Sequence, residues 1–246
     1  SALLSRNPPA IMGKKRAFPM RLLLCLLALG GVLLFFLGLH LELKWLCLLS
    51  KPLPMIALLL WLRTAAASAY RHWITIGLLF SLLGDILLEW PANLFVFGLG
   101  AFLIAHLAYL VAYLGDSKRL APLPLLLAFA VAGSMFAVLA NSGLGDLLIP
   151  VALYSLAIGC MLWRALARLG SHGISRNSAW LAAGGALLFV LSDSLIGINR
   201  FVAPFDGARY AIMLSYWLGQ LGIAASVIAL QFGVPQRADA TWRRTR

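Results

Sequence analysis

The stretch LLLCLLALGGVLLFFLGL (residues 22–39) decides the fold, because it contains 18 consecutive residues without a charge. A helix of that length can cross the ~30 Å hydrocarbon core of a bilayer. Comparable apolar runs recur along the chain, of which 62% is hydrophobic and only 11% is charged. This composition lies outside the range of soluble globular domains. The sequence therefore predicts a polytopic integral membrane protein.

Proline, glycine and charged residues divide the chain into eight apolar segments. The predicted spans are about 21–39, 43–62, 72–90, 93–114, 121–140, 147–168, 178–199 and 209–232. The alternating strands of a membrane barrel do not occur in the sequence. We therefore expect an all-α fold, with an eight-helix transmembrane bundle at 21–232, a basic disordered segment at 1–20 and a basic tail at 233–246.

The basic residues predict the orientation of the bundle. The N-terminal segment, the loops after even-numbered spans and the C-terminal tail hold 16 of the 20 Lys and Arg residues. The positive-inside rule then places both termini in the cytoplasm, in a bacterial inner or plasma membrane. The formal net charge of +12 lies mostly between spans, which argues against nucleic-acid binding.

Two segments of the chain resemble each other. LLFSLLGDILL in span three and LLFVLSDSLIG in span seven both place an aspartate after a small residue. The two spans run in the same direction through the membrane. The similarity is consistent with a parallel four-plus-four internal repeat.

Four polar side chains are predicted to lie at one depth of the bundle. At 1.5 Å per residue, Asp85, Asp193, Tyr216 and Lys51 lie about 8, 10, 11 and 13 Å from the non-cytoplasmic ends of their spans. Gln220 lies one turn deeper than Tyr216 on the same helix face. Because ionisable groups are costly in lipid, their common depth predicts one polar pocket in the outer half of the bundle.

A structural explanation of the same residues stays open at this point. Asp85 and Asp193 can also hold helices together by bonding to Lys51 or to the backbone. Glu89, beside Trp90 and a proline, is expected to be solvated at the membrane interface.

His106 lies about 20 Å along span four, a full turn or more below the aspartates. We therefore expect His106 to be a packing histidine or to line a substrate tunnel.

The familiar catalytic motifs do not occur in this sequence. It contains no GxSxG elbow, HExxH helix or glycine-rich phosphate loop, and Cys25, Cys47 and Cys160 lack the spacing of a metal site or disulfide framework. Two carboxyl groups remain. In a poorly solvated site, one carboxyl group can stay protonated and act as an acid while the other acts as a base.

The polar motifs together resemble the YhhN/TMEM86 family of lysoplasmalogenases. The resemblance is carried by KPLPM (51–55), FSLLGDILL (80–88), GLGAFLIAHLAYLVAY (98–113), ALLFVLSDSLIGINRF (186–201) and YWLGQLGI (216–223), in that order. It implies an eight-span hydrolase without a cofactor. Its substrate would be a lysophospholipid, whose vinyl ether bond is cleaved to a fatty aldehyde and glycerophospho-ethanolamine or glycerophospho-choline.

The resemblance and the chemistry of the reaction together suggest roles for individual residues. Asp85 and Asp193 match the two motif aspartates, with Asp193 as the acid and Asp85 as the base, or the reverse. Lys51 would tune their ionisation or face the substrate phosphate, and Arg200 is a second phosphate candidate. The remaining substrate-binding candidates are Tyr216 and Gln220, which would position water or the glycerol hydroxyl, and His106, Tyr109 and Asn199.

Two other functions use the same polar residues. Asp85, Asp193 and Lys51 can form the relay of a proton- or ion-coupled transporter. A non-catalytic bundle that binds membrane lipid is the other alternative.

Overall fold

The computed structural model describes residues 19–231, and these form a bundle of helices. The helices are α1 (Met20–His40), α2 (Lys44–Ser50), α3 (Leu53–Leu62), α4 (Ala69–Glu89), α5 (Phe95–Asp116), α6 (Pro122–Asn141), α7 (Leu148–Ala167), α8 (Arg176–Gly197) and α9 (Ala208–Leu230). Within residues 19–231, eight segments are long and apolar enough to cross a membrane, because α2 and α3 together make one span. The predicted all-α, eight-span fold is confirmed.

The structure tests some of the sequence predictions and leaves others open. Span boundaries agree with the sequence prediction to within a few residues. The segment 1–20 and the tail 233–246 lie almost entirely outside the described residues. The cytoplasmic termini and the internal repeat stay predictions. We call the end that contains residues 41–43, 90–94, 142–147 and 203–207 the outer end of the bundle.

The second span is interrupted in its middle. Pro52 has no backbone N–H to continue a helix, so α2 ends at Ser50 and α3 begins at Leu53. Lys51 lies in this break and is only 6% exposed. The break thus places a cation inside the bundle.

Two local signals end the helices that carry the aspartates. Trp90 precedes a proline, adopts an extended ψ of 139° and ends α4 directly after Glu89. At the end of α8, a π-helical turn spans Ile198–Val202 and carries Asn199 and Arg200. Such turns are frequent at functional sites, because they redirect side chains without ending the helix.

A buried arginine joins four helices at the inner end. The Arg168 guanidinium donates to Asp116 Oδ2 at 2.9 Å and to Ser178 Oγ at 3.0 Å. It also lies over the ring of Tyr70, 4.6 Å from the centroid. These contacts connect the end of α7 to α5, α8 and α4, and they close the bundle opposite the outer end.

The helices α8 and α9 approach each other more closely than any side chain would allow at their crossing. A Cβ atom on Gly185 would lie 2.6 Å from the carbonyl oxygen of Gly219 and 2.7 Å from the nitrogen of Ile223. Small residues permit such backbone contact in membrane bundles. This crossing fixes α9, the helix that carries Tyr216 and Gln220, against α8, which carries Asp193.

We expect Gly185→Val to force α8 and α9 apart and to lower the free energy of unfolding by about 1–3 kcal/mol. Gly184→Val is the matched control, because a Cβ there meets nothing within 4 Å. Thermal unfolding of both variants in detergent measures the difference. Equal midpoints would show that this crossing does not limit stability.

Candidate active site

The two motif aspartates lie inside the bundle on α4 and α8. Asp85 is 2% exposed, and the Asp193 side chain is 11% exposed. Within the described residues they share no hydrogen-bond partner. Each carboxyl group instead has its own set of donors, and these sets define two halves of one site.

The Asp85 half contains the polar residues of α9. The Tyr216 hydroxyl donates to Asp85 Oδ2 at 2.7 Å. One turn further inward, the Tyr109 hydroxyl donates to Gln220 Oε1 at 2.7 Å and lies 3.4 Å from Ser81 Oγ. The structure therefore brings Asp85, Tyr216, Gln220 and Tyr109 together, with Tyr216 and Gln220 on one face of α9 as the sequence predicted.

One polar group in this half is left without a partner. The Nε2 atom of Gln220 is buried and makes no hydrogen bond to any described residue. A buried donor without a partner is costly, so it is usually satisfied by water or a ligand. Gln220 thus offers one unused donor in the Asp85 half of the site.

The Asp193 half is built from three different helices. The Tyr154 hydroxyl donates to Asp193 Oδ2 at 2.6 Å, and His106 Nε2 lies 3.1 Å from the same oxygen. His106 Nε2 is also 2.9 Å from the Tyr154 hydroxyl, and its Nδ1 is 3.3 Å from Met161 Sδ. Asp193, His106 and Tyr154 form a hydrogen-bonded triangle.

The predicted depth of His106 was wrong. The sequence placed it a full turn or more below the aspartates, whereas it contacts Asp193 directly. Helix α5 begins at Phe95, later than expected, and the π-helical turn extends α8 outward to Val202. With these ends, His106 and Asp193 lie about 16 and 13 Å from the outer ends of their segments, so the separation nearly disappears.

Aromatic rings separate the two halves. The Phe189 ring lies 4.6 Å from the His106 ring and 5.4 Å from the Tyr216 ring, measured between centroids. The Phe102 ring lies 5.8 Å from Tyr216 and 6.0 Å from Phe189, edge-on in both cases. Phe102 and Phe189 thus form an apolar partition between the two carboxyl groups.

An apolar cleft opens beside Asp193. It is narrow, with an internal volume of about 70 Å³. Asp193 and Tyr154 supply its polar wall and Phe102 part of its apolar wall. Its other apolar lining includes Leu88, Phe95, Leu99, Met135, Leu139, Ile158, Val190 and Phe201. The lining therefore favours an apolar group, such as part of a hydrocarbon chain, beside the carboxyl group of Asp193.

Arg200 and Asn199 lie apart from the two carboxyl groups. The exposed Arg200 guanidinium lies 3.6 Å from the ring centroid of Phe95, which lines the cleft. Asn199 Oδ1 accepts a hydrogen bond from the backbone nitrogen of Phe205 at 3.2 Å, and the residue lines a second, polar pocket at the outer end. Arg200 is thus positioned at the cleft, and Asn199 is not.

Lys51 pairs with a carboxylate other than the two aspartates. Its Nζ lies 3.3 Å from Glu89 Oε2, and the Arg209 guanidinium lies 2.5 Å from Glu89 Oε1. The Glu89 side chain is only 10% exposed. The expectation that Glu89 is solvated was therefore wrong, because two cations hold it inside the outer end of the bundle.

Sequence reasoning missed Tyr154, Arg209 and the two phenylalanines of the partition. Tyr154 lies about 9 Å below Leu148, at the depth of the aspartates, so the depth argument that selected Tyr216 could have found it. Arg209 was counted only as a loop charge.

Within residues 19–231, no group of three or more His, Cys, Asp or Glu side chains could hold a metal ion.

Comparisons with known proteins show which sequences this chain resembles. The model of the YhhN family matches residues 46–227. Lysoplasmalogenase TMEM86B of Homo sapiens is 38% identical over 197 residues, covering 79% of this chain and 80% of the relative. A lysoplasmalogenase of Mycobacterium bovis is 36% identical over 195 residues, covering 73% and 70%. No solved structure matches the chain.

We expect Tyr109→Phe to lower the free energy of unfolding by about 1–3 kcal/mol, because Gln220 then loses its only partner among the described residues. Tyr210→Phe removes the same atom from an exposed tyrosine at the outer end and should have little effect. Thermal unfolding in detergent compares the two variants. If they unfold at the same temperature, the Tyr109–Gln220 bond does not contribute to stability.

Proposed function

Because the chain belongs to the YhhN family, we propose that it is a lysoplasmalogenase, an integral membrane enzyme that hydrolyses the vinyl ether bond of lysoplasmalogens. One observation carries this conclusion: relatives named lysoplasmalogenase, from mammals and mycobacteria, are 31–39% identical over most of this chain. The products are a fatty aldehyde and glycerophospho-ethanolamine or glycerophospho-choline.

The reaction needs an acid, a base and a water molecule. A proton adds to the β carbon of the vinyl ether, and the electron pair of the ether oxygen stabilises the resulting oxocarbenium ion. Water attacks the α carbon and loses a proton, which gives a hemiacetal. Transfer of the hemiacetal hydroxyl proton to the glycerol oxygen then releases aldehyde and alcohol. One carboxyl group can donate the proton to the β carbon and the other can accept the proton of water, and a carboxylate stabilises the cation.

In our proposal Asp193 is the acid. Its carboxyl group lines the apolar cleft, where the alkenyl chain of the substrate would lie. His106 and Tyr154 both contact Oδ2, so they can orient the carboxyl group and return a proton to it after each cycle. These contacts support placing the proton donor against the hydrocarbon chain.

Asp85 is then the base that activates water. It lies in the half of the site that contains Tyr216, Tyr109 and Gln220, whose hydroxyl and amide groups can bind water or the glycerol hydroxyl. Phe102 contacts Tyr216 on one side and lines the cleft on the other. We propose that its ring shifts when substrate binds, so that water beside Asp85 reaches the α carbon.

The head group of the substrate would lie at the outer end of the bundle. Arg200 and Asn199 lie there, and the Lys51 ammonium reaches it through its contact with Glu89, the last residue of α4. The distribution of basic residues supports placing this end on the non-cytoplasmic side, in a bacterial inner or plasma membrane.

We expect Asp85→Asn and Asp193→Asn each to lower the rate of aldehyde release by about 100-fold or more, because each removes one of the two proton-transfer groups. Asp146→Asn, at an exposed loop position, is the matched control and should retain activity. The assay is aldehyde release from a lysoplasmalogen by purified protein in detergent. Full activity of both site variants would refute the acid–base assignment.

A further inference from the structure

Glu89 lies in an unusual electrostatic position. It occupies the last turn of α4, where the partial negative charge of the helix end disfavours a carboxylate. Two cations compensate, with Lys51 at 3.3 Å from one oxygen and Arg209 at 2.5 Å from the other. The Lys51 side chain is 7% exposed, so both ions of that pair are largely removed from water. The cluster carries a formal charge of +1 in a poorly solvated place.

The cluster can be reached from the outer end. Arg209 lines the polar pocket there, together with Cys47, which lies one helical turn before Lys51. The pocket encloses about 980 Å³ including its open mouth. The Arg209 side chain is 50% exposed, so it can contact a ligand in this pocket without rearrangement of the helices. An anion entering from outside would meet Arg209 first and Lys51 behind it.

We propose that Lys51 and Arg209 form the phosphate site for the lysophospholipid, and that Glu89 occupies this site as a displaceable internal anion until substrate binds. The inference rests on the proposed function. A phosphate diester carries one negative charge and two free oxygens, as a carboxylate does, so it can replace Glu89 between the same two donors. The released Glu89 side chain then turns into the polar pocket.

The distance along α4 supports this assignment. Glu89 lies four residues beyond Asp85, which corresponds to about 6 Å along the helix axis. In the substrate, five single bonds separate the ether oxygen from the phosphorus, and they also span about 6 Å when extended. A phosphate bound in place of Glu89 therefore puts the ether bond at the depth of Asp85. Arg200 lies instead against Phe95 at the cleft.

The test compares two substrates that differ only in the phosphate-containing head group. One is a lysoplasmenyl-ethanolamine, and the other is the corresponding 1-alkenyl-glycerol, which has no head group. We expect Lys51→Met and Arg209→Gln each to raise KM for the first substrate by about 10-fold or more, with kcat within about threefold. Neither variant should change KM for the alkenyl-glycerol, and that activity also shows that the variant is folded.

Glu89→Gln separates this inference from a structural role for the ion pairs. If Glu89 competes with the phosphate, the variant lowers KM for lysoplasmenyl-ethanolamine severalfold and leaves KM for the alkenyl-glycerol unchanged. A higher KM in Glu89→Gln would overturn the inference, because Glu89 would then be needed to hold the two cations. The inference also fails if Arg200→Gln raises KM and neither Lys51→Met nor Arg209→Gln does.

Lys118→Gln provides a control for the loss of a positive charge. Lys118 is exposed at the inner end, far along the bundle from the cluster, and its removal should leave both KM values unchanged.

Failure of the proposed function gives a different result from failure of this inference. In the first case, wild-type protein releases no aldehyde from either substrate. In the second case, both substrates are cleaved, but the three cluster variants do not distinguish between them.

Discussion

A carboxylate inside a membrane must find donors or cations within the protein, because lipid supplies neither. Three carboxylates in this bundle meet that requirement with side chains from other helices. Asp85 binds Tyr216 of α9, Asp193 contacts residues of α5 and α7, and Glu89 binds the cation in the break between α2 and α3 and another on α9. These contacts determine which helices meet around the site, and they exist only if the outer half of the bundle assembles correctly.

Because each buried carboxyl group needs its own partners, the site has an apolar half and a polar half. The reaction needs both halves. A lysoplasmalogen brings a hydrocarbon chain, which favours the apolar cleft beside Asp193. Hydrolysis also consumes water, which favours the hydroxyl and amide groups around Asp85. Phe102 and Phe189 lie between these environments as an apolar partition. The proposed movement of Phe102 would bring acid, base, water and vinyl ether together.

Hydropathy predicted the number and approximate limits of the eight spans, because an apolar run must match the bilayer thickness. Helical depth predicted that Tyr216 approaches Asp85, since both lie near the outer ends of long helices. The same measure misplaced His106, because the start of α5 and the π-helical turn after α8 each changed a helix end by a few residues. The partners of Glu89 could not be predicted either. They depend on how α4 and α9 are rotated about their axes, which a nearly uniform apolar sequence does not specify.

In the proposed mechanism, a carboxyl group of the protein protonates the β carbon of the vinyl ether. Hydrolysis in D₂O, with the aldehyde trapped at once by borohydride, tests this claim most directly. The resulting alcohol should carry one deuterium at carbon 2, predominantly in one configuration, because a carboxyl group fixed beside the cleft delivers the proton to one face only. Equal amounts of both configurations, or no deuterium at carbon 2, would contradict the account.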